Sequence, residues 1–334
     1  MQPYFSLIIP VYNRPDEIRE LLQSLEAQTY TSDFEVVIVE DGSQVSSEEE
    51  VRNFKESLAI SYYFKKNSGP GDSRNYGMRK ARGEYYIILD SDCILPPEYL
   101  DAVDGTLKER YVDFFGGPDT AHPDFSPVQK AINYAMTALL TTGGIRGHKK
   151  ASGNFQPRSF NMGISREAFV ASGGFGDIHP GEDPDLSIRL WNLGFKSRFM
   201  PGARVYHKRR IDFGKFYRQV YKFGMVRPIL NQWHPGTARL TYWFPLFFLL
   251  GFCVAFVLAL SGVFWPLSFY ALYLGLIFLD SWFRNGSLSI GLLSLYAVII
   301  QFMGYGTGFF KSTFLLTFRK EKPQELFPSL FFKR

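Results

Sequence analysis

Tyr85-Tyr86-Ile87-Ile88-Leu89-Asp90-Ser91-Asp92 runs five apolar or aromatic residues straight into two carboxylates. A short apolar run that stops at polar residues is the pattern of a buried strand followed by a turn. Three similar runs precede it, at Tyr4 to Val11, Phe34 to Val39 and Ile60 to Phe64. Helical patterns lie between them: Asp16 to Gln28, with Ile18, Leu21, Leu22 and Leu25 on one face, then Ser47 to Leu58 and Asp72 to Ala81. Strands alternating with helices predict an α/β domain with a mostly parallel sheet and helices on both faces. Such sheets bind ligands beyond the carboxyl ends of their strands. The loops at those ends read PVYN (Pro10 to Asn13), EDGS (Glu40 to Ser43), KNSGPGDSRN (Lys66 to Asn75) and DSD (Asp90 to Asp92). Polar and acidic residues therefore collect at one sheet edge.

The remainder divides by solvent. The 334 residues are 46% hydrophobic with a formal net charge of +5, yet from Thr241 to Phe310 only Asp280 and Arg284 are charged. Breaks at Ser261-Gly262 and at Arg284-Asn285-Gly286 leave pieces of about 20 residues, the length of a helix that crosses a bilayer. Spans are expected near 242–261, 263–283 and 288–310, with Trp243, Trp265 and Trp282 as interfacial aromatics. From Pro201 to Leu240 nine Lys or Arg stand against Asp212 alone. This collar fits a cytoplasmic flank facing anionic headgroups, and no nucleic-acid partner is expected. Two cysteines, Cys93 and Cys253, exclude a disulfide framework and fit a reducing compartment. MQPYFSLIIPVYN lacks the features of a secretory signal, so the first domain is expected in the cytosol.

The expected organisation is a cytosolic domain over 1–225, a basic juxtamembrane segment over 226–240, a membrane domain of two or three spans over 241–310, and a tail over 311–334. The tail carries six basic residues against Glu321 and Glu325, which favours the cytoplasm and conflicts with three full crossings. The third segment, with Gly291, Gly304, Gly306 and Gly308, is the one expected not to cross completely.

Several residues carry chemistry. Asp90 and Asp92 are either solvated turn residues or a carboxylate pair neutralised by a hard cation, Mg²⁺ or Mn²⁺, bound to phosphate. Asp41 either accepts from a uracil imide N–H or closes an ordinary Asp-Gly turn. Arg74 and Asn75 follow Gly69-Pro70-Gly71 at a helix start, a place for phosphate or for a structural ion pair. Glu182, Asp183 and Asp185 open a helix after Gly181, where the helix dipole favours acids. Three acids in four positions exceed capping and leave one as a general base. His207 is either a metal ligand or a solvated residue beside Lys208, Arg209 and Arg210. Thr141 to Asn154 reads as a mobile loop over the site, and the segment with Phe213, Phe216, Tyr217, Val220 and Phe223 as an amphipathic helix lying on the bilayer.

In this order the motifs resemble family 2 glycosyltransferases, inverting enzymes of the Rossmann-like GT-A fold, from about Phe5 to Gly224. The resemblance implies that Pro10, Tyr12, Asn13 and Asp41 hold the uridine. It implies that Arg74 and Asn75 complete a glycine-rich donor segment in which Ser73 replaces the usual alanine. Asp90 would lie near ribose and metal, Asp92 on the metal, and His207 would complete the metal site. Asn161, Gly163, Gly174 and Phe175 would form the acceptor side, and Glu182 with Asp183 the catalytic pair, Asp183 being the base. Arg218-Gln219-Val220-Tyr221-Lys222 does not match the Gln-x-x-Arg-Trp motif of processive synthases. The implied reaction is metal-dependent, inverting transfer from a UDP-sugar to a hydroxyl of a saccharide or lipid-linked acceptor at the cytoplasmic face of the cell membrane. The bilayer and a second copy through the membrane domain are further partners. A polyprenyl-phosphate sugar synthase is the alternative enzyme. From another class, the alternative is a transporter or channel subunit with a regulatory nucleotide-sugar-binding domain.

Overall fold

The computed structural model describes residues 4–120, 125–143, 155–207 and 212–332. The chain forms two compact units. The first comprises residues 1–122, 149–207 and 331–334, and the second 123–148 and 208–330.

The first unit opens with β1 (Phe5–Val11), α1 (Pro15–Glu26), β2 (Phe34–Asp41), α2 (Glu48–Arg52), β3 (Ile60–Lys65), α3 (Pro70–Lys80) and β4 (Tyr85–Leu89). These four strands pair in parallel in the order β3-β2-β1-β4. The strand runs were legible because each is apolar on both faces. Leu7, Ile9, Val36, Ile38, Ile87 and Leu89 meet Ile18, Leu21, Leu22 and Leu25 of α1. The intervening Ile8, Val37, Val39 and Ile88 meet Met78 of α3 on the opposite face. The helix expected over Ser47 to Leu58 is shorter. After α2 the chain tightens into successive i→i+3 bonds, from Asn53 to Glu50, Phe54 to Val51 and Ser57 to Phe54.

Then follow β5 (Cys93–Ile94), α4 (Tyr99–Glu109), β6 (Phe114–Gly116) and β7 (Asp119–Thr120). After α5 (Pro127–Thr137) and α6 (Leu139–Thr142) of the second unit come β8 (Asn161–Ser165), α7 (Arg166–Ser172), α8 (Glu182–Asn192), β9 (Ser197–Phe199) and β10 (Val205–His207). The large sheet continues past β4 as β8-β6-β9, with β8 antiparallel to both β4 and β6. A small sheet, β5-β10-β7, stands beyond the end of β4.

The second unit contains α5, α6, α9 (Phe213–Trp233), α10 (Phe244–Leu260), α11 (Trp265–Asn285), α12 (Leu288–Phe318) and α13 (Pro323–Leu326). Three helical segments are long and apolar enough to cross a membrane, those of α10, α11 and α12. They match the expected spans except that α12 continues past Lys311 to Phe318. The most apolar window is 44% buried in α12 against 11% in each of the other two, so α12 packs on protein more than they do. Its glycines are the reason. A Cβ at Gly308 would stand 2.2 Å from the Tyr221 carbonyl oxygen of α9, and one at Gly224 would stand 2.2 Å from that of Tyr305. The two backbones touch through small residues. The start of α12 meets the end of α11, with Ser281 Oγ bonded to Ser294 Oγ at 2.7 Å. Its later part meets the start of α10, with Phe302 against Phe244 and Phe248 and Phe309 against Trp243. Asp280, the single acid of this region, accepts from Tyr134 of α5 at 2.7 Å.

Candidate active site

The small sheet explains how residues far apart in sequence meet. Antiparallel pairing of β5 with β10 puts His207 opposite Cys93, hence beside Asp92. His207 Nε2 approaches Asp92 Oδ1 to 3.1 Å, and its ring stacks on Phe160 with centroids 4.6 Å apart. Arg14, directly after the PVYN loop, donates to Asp92 Oδ2 at 2.6 Å. Burial opposes ionisation of Asp92, but His207 and Arg14 outweigh it and hold the carboxyl well below its usual range. Asp92 Oδ1 is nevertheless buried without a hydrogen-bond partner among the described residues. A buried carboxylate oxygen whose one close neighbour among the described residues is an imidazole nitrogen at 3.1 Å presents the oxygen and nitrogen donors that a divalent cation takes, so Asp92 and His207 fit a metal.

Asp90 does not join them. It pairs instead with Arg74, Nη2 to Oδ1 at 2.7 Å, because that guanidinium is only 3% exposed and needs carboxylates around it. Cys93 takes the third place in the cluster with Asp92 and His207. Its thiol donates to the Phe160 carbonyl at 3.3 Å and is pushed up by burial, so it serves packing. Of the expected metal set, Asp92 and His207 face each other, and Asp90 is paired with Arg74.

Arg74 is the hinge of the site. Its Nη1 donates to Glu182 Oε1 at 3.0 Å, so one guanidinium joins the DSD turn to the first turn of α8, and Phe175 lies beneath it at 5.4 Å. His179 Nδ1 stands 2.9 Å from the same Glu182 oxygen. Burial works against the Glu182 carboxylate, but His179 and Arg74 overcome it and bring the group to about 2. Burial raises Asp183, Arg158 at 3.6 Å partly offsets this, and the neighbouring Glu182 charge adds to the rise. Two adjacent acids are pushed in opposite directions.

The nucleotide-side residues are arranged around loop backbone. Asp41 accepts from Lys65 Nζ at 2.6 Å and the Ser68 N–H at 3.0 Å on Oδ1, and from the Gly69 N–H at 2.9 Å on Oδ2. One lone pair of Oδ2 remains for a ligand. Asn13, at φ 54°, accepts from the Gln44 and Val45 N–H groups at 2.7 and 3.0 Å and so pins the EDGS loop. Tyr12 is 50% exposed, an aromatic face available to a base, and Pro10 is half-buried.

Asn75 is buried and clamps Phe175 through both its carbonyl and its N–H at 2.8 Å, which fixes the loop before α8. Asn161 accepts from Tyr99 at 2.6 Å and donates to the Ala203 carbonyl at 2.7 Å. Gly163 makes room for the Phe115 ring, Gly174 for Asn75, and Phe175 is buried. Central position in the sheet explains the burial of the pair on β8. Arg14, Arg158 and His179 were missed, although Arg14 directly follows the PVYN loop and His179 stands just before Gly181-Glu182-Asp183. The expected mobile loop lies outside the described residues over 144–154.

Comparison with known proteins agrees with this geometry. Residues 6–171 match the family described as glycosyl transferase family 2. An uncharacterised glycosyltransferase of Rickettsia conorii is 40% identical over 136 residues, 41% of this chain and 22% of that protein. Chondroitin synthase of Escherichia coli is 28% identical over 251 residues, 61% of this chain and 34% of that protein. The chain therefore spans about a third or less of these two curated relatives. Among solved structures, mannosyltransferase PcManGT from Pyrobaculum calidifontis, in complex with GDP-Man and Mn²⁺, superposes with a TM-score of 0.58 at 19% identity, over 96% of this chain and 89% of that one. That likeness shows the GT-A fold. The chain carries a glycosyl transferase family 2 domain over residues 6–171.

Proposed function

We propose that this chain is a membrane-anchored, inverting glycosyltransferase that moves a sugar from a UDP-sugar to an acceptor hydroxyl on a saccharide or lipid-linked saccharide. The observation that carries the reading is Asp183, a partly buried acid with its proton affinity raised, one residue from an acid fixed in its ionised form. A base is useful when it is ionised at working pH yet still basic enough to accept a proton. Asp183 takes the proton from the acceptor hydroxyl as that oxygen bonds to the anomeric carbon and the bond from that carbon to the diphosphate breaks. Arg158, 3.6 Å from Asp183, partly offsets the rise. Arg74 holds Asp90 and Glu182 at fixed spacing, so the donor side and the base side keep their relation. Asp92 and His207 are the residues that would hold Mn²⁺ or Mg²⁺, which supplies positive charge against the departing diphosphate when bound. Arg14, which donates to Asp92, adds a second positive charge beside that carboxylate. The basic collar and the three apolar helices support anchoring at the cytoplasmic face.

Purified protein with Mn²⁺ should release UDP from one member of a UDP-sugar panel when an acceptor is present, and Asp183→Asn should stop it. Turnover unaffected by Asp183→Asn would point to a nucleophile that needs no base, such as a lipid phosphate, and would remove the hydroxyl-acceptor reading. Turnover that survives Asp92→Ala or excess EDTA would remove the metal from the reaction.

A further inference from the structure

Gly69 starts α3 at φ 92°, and its N–H is held by Asp41. A Cβ placed on it would lie 2.4 Å from the ring of Phe332, so that ring rests directly on the Gly69 backbone. Phe332 is brought there by main-chain bonds within the first unit. Phe331 forms an antiparallel bridge with Ile178, and the Phe332 N–H donates to the Asp177 carbonyl at 3.1 Å. The ring centroid of Phe332 is 6.0 Å from that of His179, the residue that holds Glu182. A single side chain, 263 positions from Gly69 in sequence (332 less 69), thus touches both the loop fixed by Asp41 and the loop that precedes the base. The ring is only half-buried, unlike the rings of the hydrophobic core.

We propose that Phe332 is a positioning residue for the donor's nucleoside diphosphate. Asp41 fixes the Ser68 and Gly69 amides from one side, and Phe332 backs the same loop from the other. Without the ring, Gly69 has the backbone freedom of glycine, and the loop must be ordered by the ligand at a cost in affinity. The proposal rests on the reading of this cleft as a nucleotide-sugar site. It predicts an effect on donor binding and not on the chemical step, because Phe332 contacts loops and no reacting group.

The test uses the full chain in detergent with Mn²⁺, comparing Phe332→Ala and Phe332→Tyr with the parent. UDP affinity is measured by calorimetry, donor KM and kcat by turnover, and hydrogen exchange over 66–72 by mass spectrometry. Phe332→Ala should weaken UDP and raise donor KM by about tenfold, leave kcat within about twofold, and speed exchange over 66–72. Phe332→Tyr, which keeps the ring, should restore all three. Unchanged UDP affinity, tighter UDP binding, or a fall in kcat at constant KM would each overturn the proposal. If the parent binds UDP and Phe332→Ala binds it equally, the positioning role fails while the site reading stands. If the parent binds neither UDP nor GDP, the nucleotide reading fails and this proposal with it. Exchange over 66–72 then still reports whether Phe332 orders the loop.

Discussion

One peptide bond separates Glu182 from Asp183, yet their surroundings push them apart, and each shift has a consequence for stability. Glu182 is depressed, so its contribution is present above its ordinary value of 4.5 and is lost as pH falls toward about 2. Glu182→Ala leaves Arg74 buried with Asp90 alone and should cost about 3–5 kcal/mol in denaturant unfolding at pH 7. Asp183 is raised, so the sign reverses: its contribution is fully present below its ordinary value of 3.8 and is lost as pH rises through the folded value. Asp183→Asn cannot ionise and should melt at or above the parent temperature at pH 7 while kcat falls by about 10²–10⁴. A variant that lost activity only because it unfolded would melt lower, and that result would remove the base assignment. The rate of the parent should rise with pH through the raised value of Asp183. The family resemblance implied Asp183 as the base, but the sequence did not show the opposite shifts of the two acids, because Arg74 reaches Glu182 across 108 positions.

Among the elements, α9 and α12 depend most on the absence of side chains. Gly308→Ala places a methyl group 2.2 Å from the Tyr221 carbonyl oxygen, and the helices must part. The expected loss is about 1–3 kcal/mol, read as a lower melting temperature in detergent. Gly275→Ala on α11 is the control, since nothing lies within 4 Å of its Cβ position. Equal melting of the two variants would show that the close approach contributes nothing. The strands and the three apolar helices were legible from short-range pattern. The shortness of α2 was not, because its polar residues satisfy helix and turn alike.

For the whole molecule, chain connectivity limits how the apolar helices meet a bilayer. Residues 1–122, 149–207 and 331–334 belong to one compact unit, which cannot stand on two sides of a membrane. We propose that the crossings between residues 208 and 331 are even in number and that α12 is the helix that stays behind. It meets α11 at Phe278 and Ser281, near that helix's end, and α10 at Phe244 to Leu249, near its start. These are the two ends of the α10–α11 hairpin on one side, and α12 runs across them along basic α9. A cysteine at Ser261, between α10 and α11, should react with an impermeant maleimide on intact cells, in a background lacking Cys93 and Cys253. One at Ser329 should react only after permeabilisation. Labelling of both from outside would restore three crossings. Sequence alone determined the α/β order, the acidic sheet edge, the apolar helices and the family resemblance, because each is written in residues a few positions apart. Tertiary structure decided that Asp92 meets His207 and Arg14, that Arg74 pairs with Glu182 while burial raises Asp183, and that Phe332 lies on Gly69. Proton affinity and loop order depend on burial and on charges within a few ångströms, and only the folded chain brings such distant residues that close.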